Sequence, residues 1–206
     1  MTVIIKSEKQ PAQSSVAPAK GLQIIAATFG GVIVTEKIRE LIQDNDSMTF
    51  KMNQMVHYLT PDPLPNWVKT LTILYRFDDG PLSLFNATEQ HSGSVQISRA
   101  TAPGIAIQQL EAGLKQGPFA DVEILAVVYG KKRIQTPSVL ADLARFFADE
   151  EQRVQIRMVN SFFKEDTWPN TWKSWTIFFK FTDSKRIQCV TGLENGALEL
   201  PWSRRD

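Results

Sequence analysis

The chain has 206 residues, enough for one large domain or two small ones with a buried core. Its 43% hydrophobic and 22% charged residues are typical of a soluble globular protein, and 23 basic against 22 acidic residues leave a formal net charge of +1. This balance lacks the basic excess of a nucleic-acid-binding protein, and no apolar run approaches the roughly 18 residues that span a bilayer, so we expect a cytoplasmic protein with no nucleic-acid or membrane partner.

Residues 1–20 are predicted to form an N-terminal arm. Residues 8–20 have the composition of a linker rather than of a core element. The run Val3, Ile4 and Ile5 ahead of them is typical of an edge strand. If that strand pairs with a neighbouring chain, the result is a homodimer.

The first predicted repeat covers residues 21–98 and begins with an apolar strand ending at Gly30. A helix capped by Thr35 follows, with its apolar face formed by Val34, Ile38, Leu41 and Ile42. Alternation of Met48, Phe50 and Met52 predicts the next strand, and a Pro-rich loop of ten residues or more leads into a third. Two further strands complete the order strand, helix, strand, strand, strand, strand.

Residues 99–119 are predicted to be a linker that contains a connecting helix. Ile107, Leu110 and Leu114 fall on one face at helical spacing, and Gly117 with Pro118 forms the stop. We expect this helix to pack one repeat against the other.

The second predicted repeat covers residues 120–202 and has the same order of elements. Its first strand ends at Gly130, and its helix has Thr136 at the N-cap and Pro137 at the first position. The apolar stripe of that helix contains Leu140, Leu143 and Phe147. Residues 203–206 remain as a C-terminal tail.

One stretch of sequence occurs twice. Residues 65–77 align without a gap to residues 169–181, at an offset of 169 − 65 = 104, and six of the thirteen pairs are identical. Such a repeat predicts an α+β fold built from two tandem β-rich repeats related by pseudo-twofold symmetry. In each copy an aromatic and aliphatic row, which in the first is Leu71, Ile73, Tyr75 and Phe77, alternates with a mixed row, which there is Thr70, Thr72, Leu74 and Arg76. A slip of one residue would expose the whole aromatic row.

The repeated pattern resembles the C-terminal domain of unknown function of the DnaJ homologue subfamily C member 11 family, present as two tandem copies. The matching motifs are Phe29-Gly30 and Tyr129-Gly130, the prolines Pro63 and Pro65, the strands Lys69 to Phe77 and Lys173 to Phe181, and Leu198-Glu199-Leu200-Pro201. The first copy departs at its end, with Ser98 where the second has Pro201. The resemblance implies a β-rich interaction domain without known catalytic residues.

Cysteine and histidine offer little for catalysis or metal binding. The single Cys189 excludes an internal disulfide and a cysteine-based zinc site, and only two histidines occur, in predicted loops. No nucleophile, phosphate-loop or dinucleotide motif is present. We therefore predict no catalytic residue, no metal and no cofactor.

Aromatic residues near the Pro-rich loops are the positive signal. Either they cap the ends of the sheets, or they form a recognition surface, since tryptophan gives a large rigid contact area at low entropic cost. Nearby acids and amides can supply hydrogen bonds. The candidate ligand-binding residues are Tyr58, Asp62, Asn66, Trp67, Asp166, Trp168, Asn170 and Trp172. Trp175 is in phase with the apolar row and is predicted to be core.

Three functions are compatible with these features. The favoured one is a non-catalytic binding protein, an accessory or scaffold protein that holds a peptide or protein segment at a strand edge or in the groove between the repeats. The alternatives are a carbohydrate-binding module with duplicated loops and an enzyme that uses a pair of carboxylates. Twin sugar sites are disfavoured because Trp67 aligns with Thr171 and Trp172 with Val68, a shift that would turn one ring to the opposite side of a strand.

Overall fold

The computed structural model describes residues 20–100, 107–109, 121–149 and 155–199. Over these ranges the protein is β-rich with four short or medium α-helices and several antiparallel sheets, as expected for the α+β class. The predicted strand Val3, Ile4 and Ile5, nearly all of the arm, and the tail 203–206 lie outside the described residues.

The strands and helices of the first half follow the predicted order with short additions. They are β1 (Leu22–Phe29), β2 (Val32–Ile33), α1 (Thr35–Arg39), β3 (Ile42–Gln43), β4 (Ser47–Lys51), α2 (Met55–Tyr58), β5 (Thr70–Phe77), β6 (Ser83–Thr88) and β7 (Ser94–Ser98). A 3-10 turn, Met52–Gln54, leads into α2.

The remaining elements begin with one strand of the linker, for which only the backbone is described. They are β8 (Ile107–Gln109), β9 (Val122–Tyr129), β10 (Lys132–Ile134), α3 (Pro137–Ala148), β11 (Ile156–Arg157), α4 (Asn160–Phe163), β12 (Ser174–Phe181), β13 (Gln188–Leu193) and β14 (Ala197–Leu198).

Two larger sheets form the centre of the molecule. The first sheet has the order β2-β1-β5-β6-β8, and the second has the order β10-β9-β12-β13. Two smaller sheets, β3-β4-β7 and β11-β14, lie outside them. All the neighbouring strands are antiparallel. The repeated stretch therefore supplies β5 and β12, which are interior strands of the two larger sheets.

The core is divided into three clusters by the two larger sheets. The outer cluster of the first half joins β1 and β5 to α1 and to the small sheet, and that of the second half joins β9 and β12 to α3. The third cluster lies between the two larger sheets and contains Ala26, Leu74, Leu84, Ala126, Val128 and Phe178. Each larger sheet is thus covered on both faces, which explains why β1 and β9 are almost wholly apolar.

The predicted alternation along the repeated strands is confirmed. Leu71, Ile73 and Tyr75 belong to the outer cluster of the first half, whereas Leu74 belongs to the cluster between the sheets. Trp175, Ile177, Phe179 and Phe181 belong to the outer cluster of the second half, which confirms Trp175 as a core residue.

Both larger sheets also contain a β-bulge at corresponding positions. The pairing of β1 with β5 skips Ile25, and the pairing of β9 with β12 skips Leu125. Both skipped residues pack against the cluster between the sheets. A bulge increases local twist, so these two bends shape the surfaces along which the sheets meet.

Three local predictions are wrong. The first concerns Ile107–Gln109, which is a strand paired with Ser83–Phe85 and not part of a helix. The reason is that the edge of β6 offers unpaired backbone groups to an extended segment. The rest of the predicted connecting helix lies outside the described residues.

The other two concern the first half. The predicted loop after residue 52 contains the 3-10 turn and α2. Thr35 is the first residue of α1 rather than its cap, and its hydroxyl accepts a hydrogen bond from the Ala27 N–H at 3.0 Å.

None of the helices within the described ranges combines the length and the apolar composition that crossing a membrane requires.

Candidate functional site

A buried lysine holds each Pro-rich loop, and the Lys69 site is the first. The Lys69 side chain is only 4% exposed at the start of β5. Its Nζ donates hydrogen bonds to the Leu64 carbonyl at 3.2 Å and to the Trp67 carbonyl at 2.7 Å. Carboxylate oxygens of Asp62 and Glu89 lie 3.3 and 3.2 Å from the same nitrogen. Four oxygens thus compensate the cost of removing this ammonium group from water.

The Lys173 site repeats this arrangement in the second half. Lys173 is 3% exposed, and its Nζ donates to the Trp168 carbonyl at 3.3 Å and to the Thr171 carbonyl at 3.1 Å. Oxygens of Asp166 and Glu194 each lie 3.1 Å away. Two carbonyls and two carboxylates therefore surround the ammonium group here as well.

The loop backbone has the same turns in both halves. Asp62 accepts a hydrogen bond from the Leu64 N–H, and Asp166 accepts one from the Trp168 N–H. Asn66 and Asn170 both have left-handed backbones, with φ of 68° and 59°. Asparagine tolerates this conformation better than most residues, which is the physical reason for the repeated Pro-Asn.

Glycine is required where β1 and β9 end against the lysines. Gly30 and Gly130 have φ of 54° and 56°. A Cβ at Gly30 would lie 2.9 Å from Cγ of Lys69, and one at Gly130 would lie 2.7 Å from Oγ1 of Thr167. The repeated Phe-Gly and Tyr-Gly motifs thus leave room for the lysine side chains and their loops.

The carboxylates predicted to bind ligand are already engaged in these sites. Asp62 and Asp166 each accept from a loop N–H and pair with a lysine. Partial desolvation opposes ionisation of Asp166, but the hydrogen bond from Lys173 and the Trp168 N–H outweigh it and lower the pKa of this carboxyl. In the structure, Asp62 and Asp166 therefore hold the loops. The side-chain amides of Asn66 and Asn170 are exposed and make no hydrogen bond within the described part of the chain.

Trp67 and Trp172 meet on the surface between the two halves. Their ring centroids are 6.1 Å apart and their planes are inclined by 33°. Trp67 is 39% exposed and Trp172 is 43% exposed. We call these two side chains the tryptophan pair. Because tryptophan is highly buried on average, this exposed and adjacent pair is the candidate site on the surface of the described residues.

Trp67 and Trp172 occupy positions one residue apart when the two copies of the repeated stretch are aligned, yet their rings lie side by side. The expectation that this shift would separate the rings assumed that both lie in strands, but β5 begins at Thr70 and β12 at Ser174. The strict alternation of a strand does not apply to the residues ahead of it. The two loops therefore form one joint surface rather than two separate ones.

The other aromatic candidates, Tyr58 and Trp168, have partners of their own. The Tyr58 hydroxyl donates to the Lys37 carbonyl at 2.9 Å, and desolvation followed by the charge of Glu40 raises its pKa. Trp168 is half-buried, with the Lys131 ammonium 5.5 Å from its ring centroid. Tyr58 therefore links α2 to α1, and Trp168 links its loop to the turn after β9.

Sequence reasoning missed the two lysines and their second carboxylates, Glu89 and Glu194, as parts of the site. The repeated lysine was visible as an identical residue, but an isolated lysine ahead of a strand is usually exposed. The burial of this lysine was nevertheless visible in the strand pattern, because Lys69 and Lys173 lie two residues before the buried Leu71 and Trp175 and so fall in the same row.

The described residues contain no group of three or more His, Cys, Asp or Glu that could hold a metal ion. The fold and the site define a β-rich α+β protein in which two lysine-held loops present an exposed tryptophan pair. No match to this chain was found among protein-family models, curated proteins or solved structures. The resemblance to the DnaJ homologue subfamily C member 11 family therefore stays a prediction.

Proposed function

We propose that this chain is a non-catalytic binding protein that holds an extended peptide or protein segment across the junction of its two halves, with the tryptophan pair as the anchor. The observation that carries the proposal is the position of Trp67 and Trp172, which are exposed, adjacent and supplied by different halves. Large aromatic side chains are the residues that most often dominate binding energy at protein interfaces.

The loops that carry the pair are preorganised for binding. Lys69 holds the carbonyl of Trp67 itself, and Lys173 holds that of Thr171, the residue before Trp172. A surface already fixed in its binding geometry loses little conformational entropy when a ligand arrives. The exposed amides of Asn66 and Asn170 have both donors and acceptors, which suits the backbone of an extended segment.

We further propose that the two halves are tandem repeats related by an approximate twofold axis. Three observations support this organisation: the shared strand orders β2-β1-β5-β6 and β10-β9-β12-β13, the corresponding bulges, and the matching Lys69 and Lys173 sites. In such an arrangement the two loops approach each other at the axis, which accounts for a single joint surface.

A carbohydrate-binding module is the second candidate, because a sugar ring also stacks on exposed tryptophan. The engagement of Asp62 and Asp166 with lysines favours the peptide, since sugar sites usually use free carboxylates beside the aromatic ring. An enzyme based on paired carboxylates stays the third possibility; the pairs around Lys69 and Lys173 give it no specific support, because they hold the loops.

The test is a selection from a random-peptide phage library on the full chain, with a glycan array in parallel. Isothermal titration of an enriched peptide should show affinity reduced roughly tenfold or more in Trp172→Ala and in Trp67→Ala. Tyr58→Ala is the matched control, because that side chain is similarly exposed at 37% and should leave affinity unchanged. Urea unfolding of each variant checks that the fold is retained. Glycan binding lost in Trp172→Ala, with no peptide enriched, would contradict the proposal.

A further inference from the structure

The strand β13 has an outer edge without the usual protection. It is the last strand of the second sheet, and β12 is the one strand that pairs with it among the described residues. Its residues are Gln188, Cys189, Val190, Thr191, Gly192 and Leu193, with no charge and no proline, and its register with β12 is unbroken. Natural edge strands are commonly blunted by charge, proline, bulges or shortness. The opposite edge strand, β10, follows this rule, since it contains Lys132 and Arg133.

The corresponding edge of the first sheet already holds an extended segment. Ser83 of β6 pairs with Tyr75, and Gln188 of β13 pairs with Phe179, the residue aligned with Tyr75 in the repeated stretch. Ser83–Phe85 therefore corresponds to Gln188–Val190. In the first sheet, β8 pairs antiparallel with Ser83–Phe85. Within the described ranges, a strand is therefore added at one of these two matching edges.

We propose that the outer edge of β13, at Gln188–Val190, is a strand-addition site for an extended, uncharged peptide segment that pairs antiparallel with it. The register of β8 indicates the composition of this segment. Ile107 pairs with Phe85, Gln108 with Leu84 and Gln109 with Ser83. The ligand would accordingly have a β-branched apolar residue opposite Val190 and polar uncharged residues opposite Cys189 and Gln188.

Backbone hydrogen bonds would supply the affinity at this site. The side chain of the ligand residue opposite Val190 would supply the selectivity among peptides. Val190 is 4% exposed and belongs to the outer cluster of the second half, so it holds the strand firmly on the sheet. The inference extends the proposed peptide-binding function to a second surface and rests on it only in taking a peptide as ligand.

The probe is a fluorescently labelled synthetic peptide with the sequence of residues 104–110, which contains no charged side chain, titrated into the full chain by fluorescence anisotropy. In an antiparallel pair, alternate residues direct their N–H groups toward the partner strand. N-methylation at positions 106 and 108 or at 107 and 109 should therefore behave differently: one peptide should bind roughly tenfold more weakly or worse, and the other should bind as the parent does.

Amide hydrogen exchange of the full chain identifies the residues that the bound peptide protects. Added peptide should slow amide exchange in residues 186–194 and leave residues 83–88 unchanged. The Trp172→Ala variant should bind this peptide as the wild type does. A wrong proposal for the tryptophan pair can therefore be distinguished from a wrong proposal for the β13 edge. Equal effects of the two N-methylation patterns, protection at 83–88, loss of binding in Trp172→Ala, or a homodimer through β13 that the peptide does not disperse would each overturn the inference.

Discussion

At the scale of single residues, the two buried lysines determine the candidate site. Lys69 and Lys173 are among the most deeply buried polar residues of the structure, and each is surrounded by two carbonyls and two carboxylates. A buried ion pair contributes little net stability compared with an apolar substitute, but removal of one partner leaves an uncompensated charge. These residues therefore fix the loop conformation more than they strengthen the fold.

Lys173→Met should lower the free energy of unfolding by roughly 3 to 5 kcal/mol, because it leaves Asp166 and Glu194 without their cation. Urea denaturation followed by circular dichroism measures the change. Lys180→Met, in the strand β12 that directly follows Lys173, is the matched control, since Lys180 is 35% exposed and pairs with Glu123 at 2.7 Å. Its effect should stay within about 1 kcal/mol. Equal effects of the two variants would show that Lys173 has no special role.

At the scale of elements, charged groups tie the ends of several strands together. Asp78, in the turn after β5, accepts hydrogen bonds from the Gly21 N–H at 2.7 Å and from Arg99 at 2.7 and 2.9 Å. Arg99, just after β7, also donates to Asp46 between β3 and β4 at 2.8 Å. This arrangement joins the first sheet to the small sheet that covers it.

The Asp78 tie should make stability depend on pH at the acid end. Hydrogen bonds from Arg99, followed by the one from the Gly21 N–H, lower the pKa of Asp78 from its usual 3.8 to about 2. A lowered pKa in the folded state stabilises the protein above pH 3.8, and that contribution is lost as the pH falls toward 2. The stability difference between wild type and Asp78→Asn should therefore shrink across this window in urea titrations.

Asp79→Asn is the control for this prediction. Asp79 is the adjacent carboxylate, 70% exposed and 3.8 Å from Arg76, so its replacement should give only a small stability difference. A stability difference for Asp78→Asn that stays constant from pH 7 to pH 2 would show that the Arg99 contact does not persist in solution.

At the scale of the whole molecule, the cluster between the two larger sheets joins the halves. Phe178 is fully buried there, and Leu74 contributes to it from the opposite sheet. The hydroxyl oxygens of Thr28 and Thr176 lie 2.7 Å apart in a buried hydrogen bond between the sheets. The close approach of Gly31 to Gly192 adds a further contact between the halves. Each half therefore depends on the other to cover one face of its larger sheet.

This packing predicts that the two halves unfold as one cooperative unit. Leu74→Ala should lower the free energy of unfolding by roughly 2 to 5 kcal/mol and Phe178→Ala by roughly 3 to 5 kcal/mol. In Leu74→Ala, the slowest amides of β12 should exchange faster by the same free energy as those of β5, although β12 has no altered residue. Unchanged exchange in β12 would mean that the halves unfold independently.

The sequence by itself determined the order of the longer elements, the β-rich class and the aromatic and aliphatic row of each repeated strand. These follow from local patterns, since alternation, N-caps and turn residues act within a few positions of one another. The strand β8 was missed because its place depends on a distant edge, while its own residues also fit a helical stripe. The short α2 was missed because its four residues carry no cap signal.

The candidate site could be predicted from sequence only in its outline. Prolines, asparagines and tryptophans marked the two loops that the lysines hold, and the repeated lysine was visible as an identity. The burial of that lysine and the contact of Trp67 with Trp172 were decided by the tertiary structure, because both depend on residues brought together from distant parts of the chain. In the aligned copies the two tryptophans differ in position by one residue, which predicted rings on opposite sides of a strand. The packing of the two halves instead places the rings side by side.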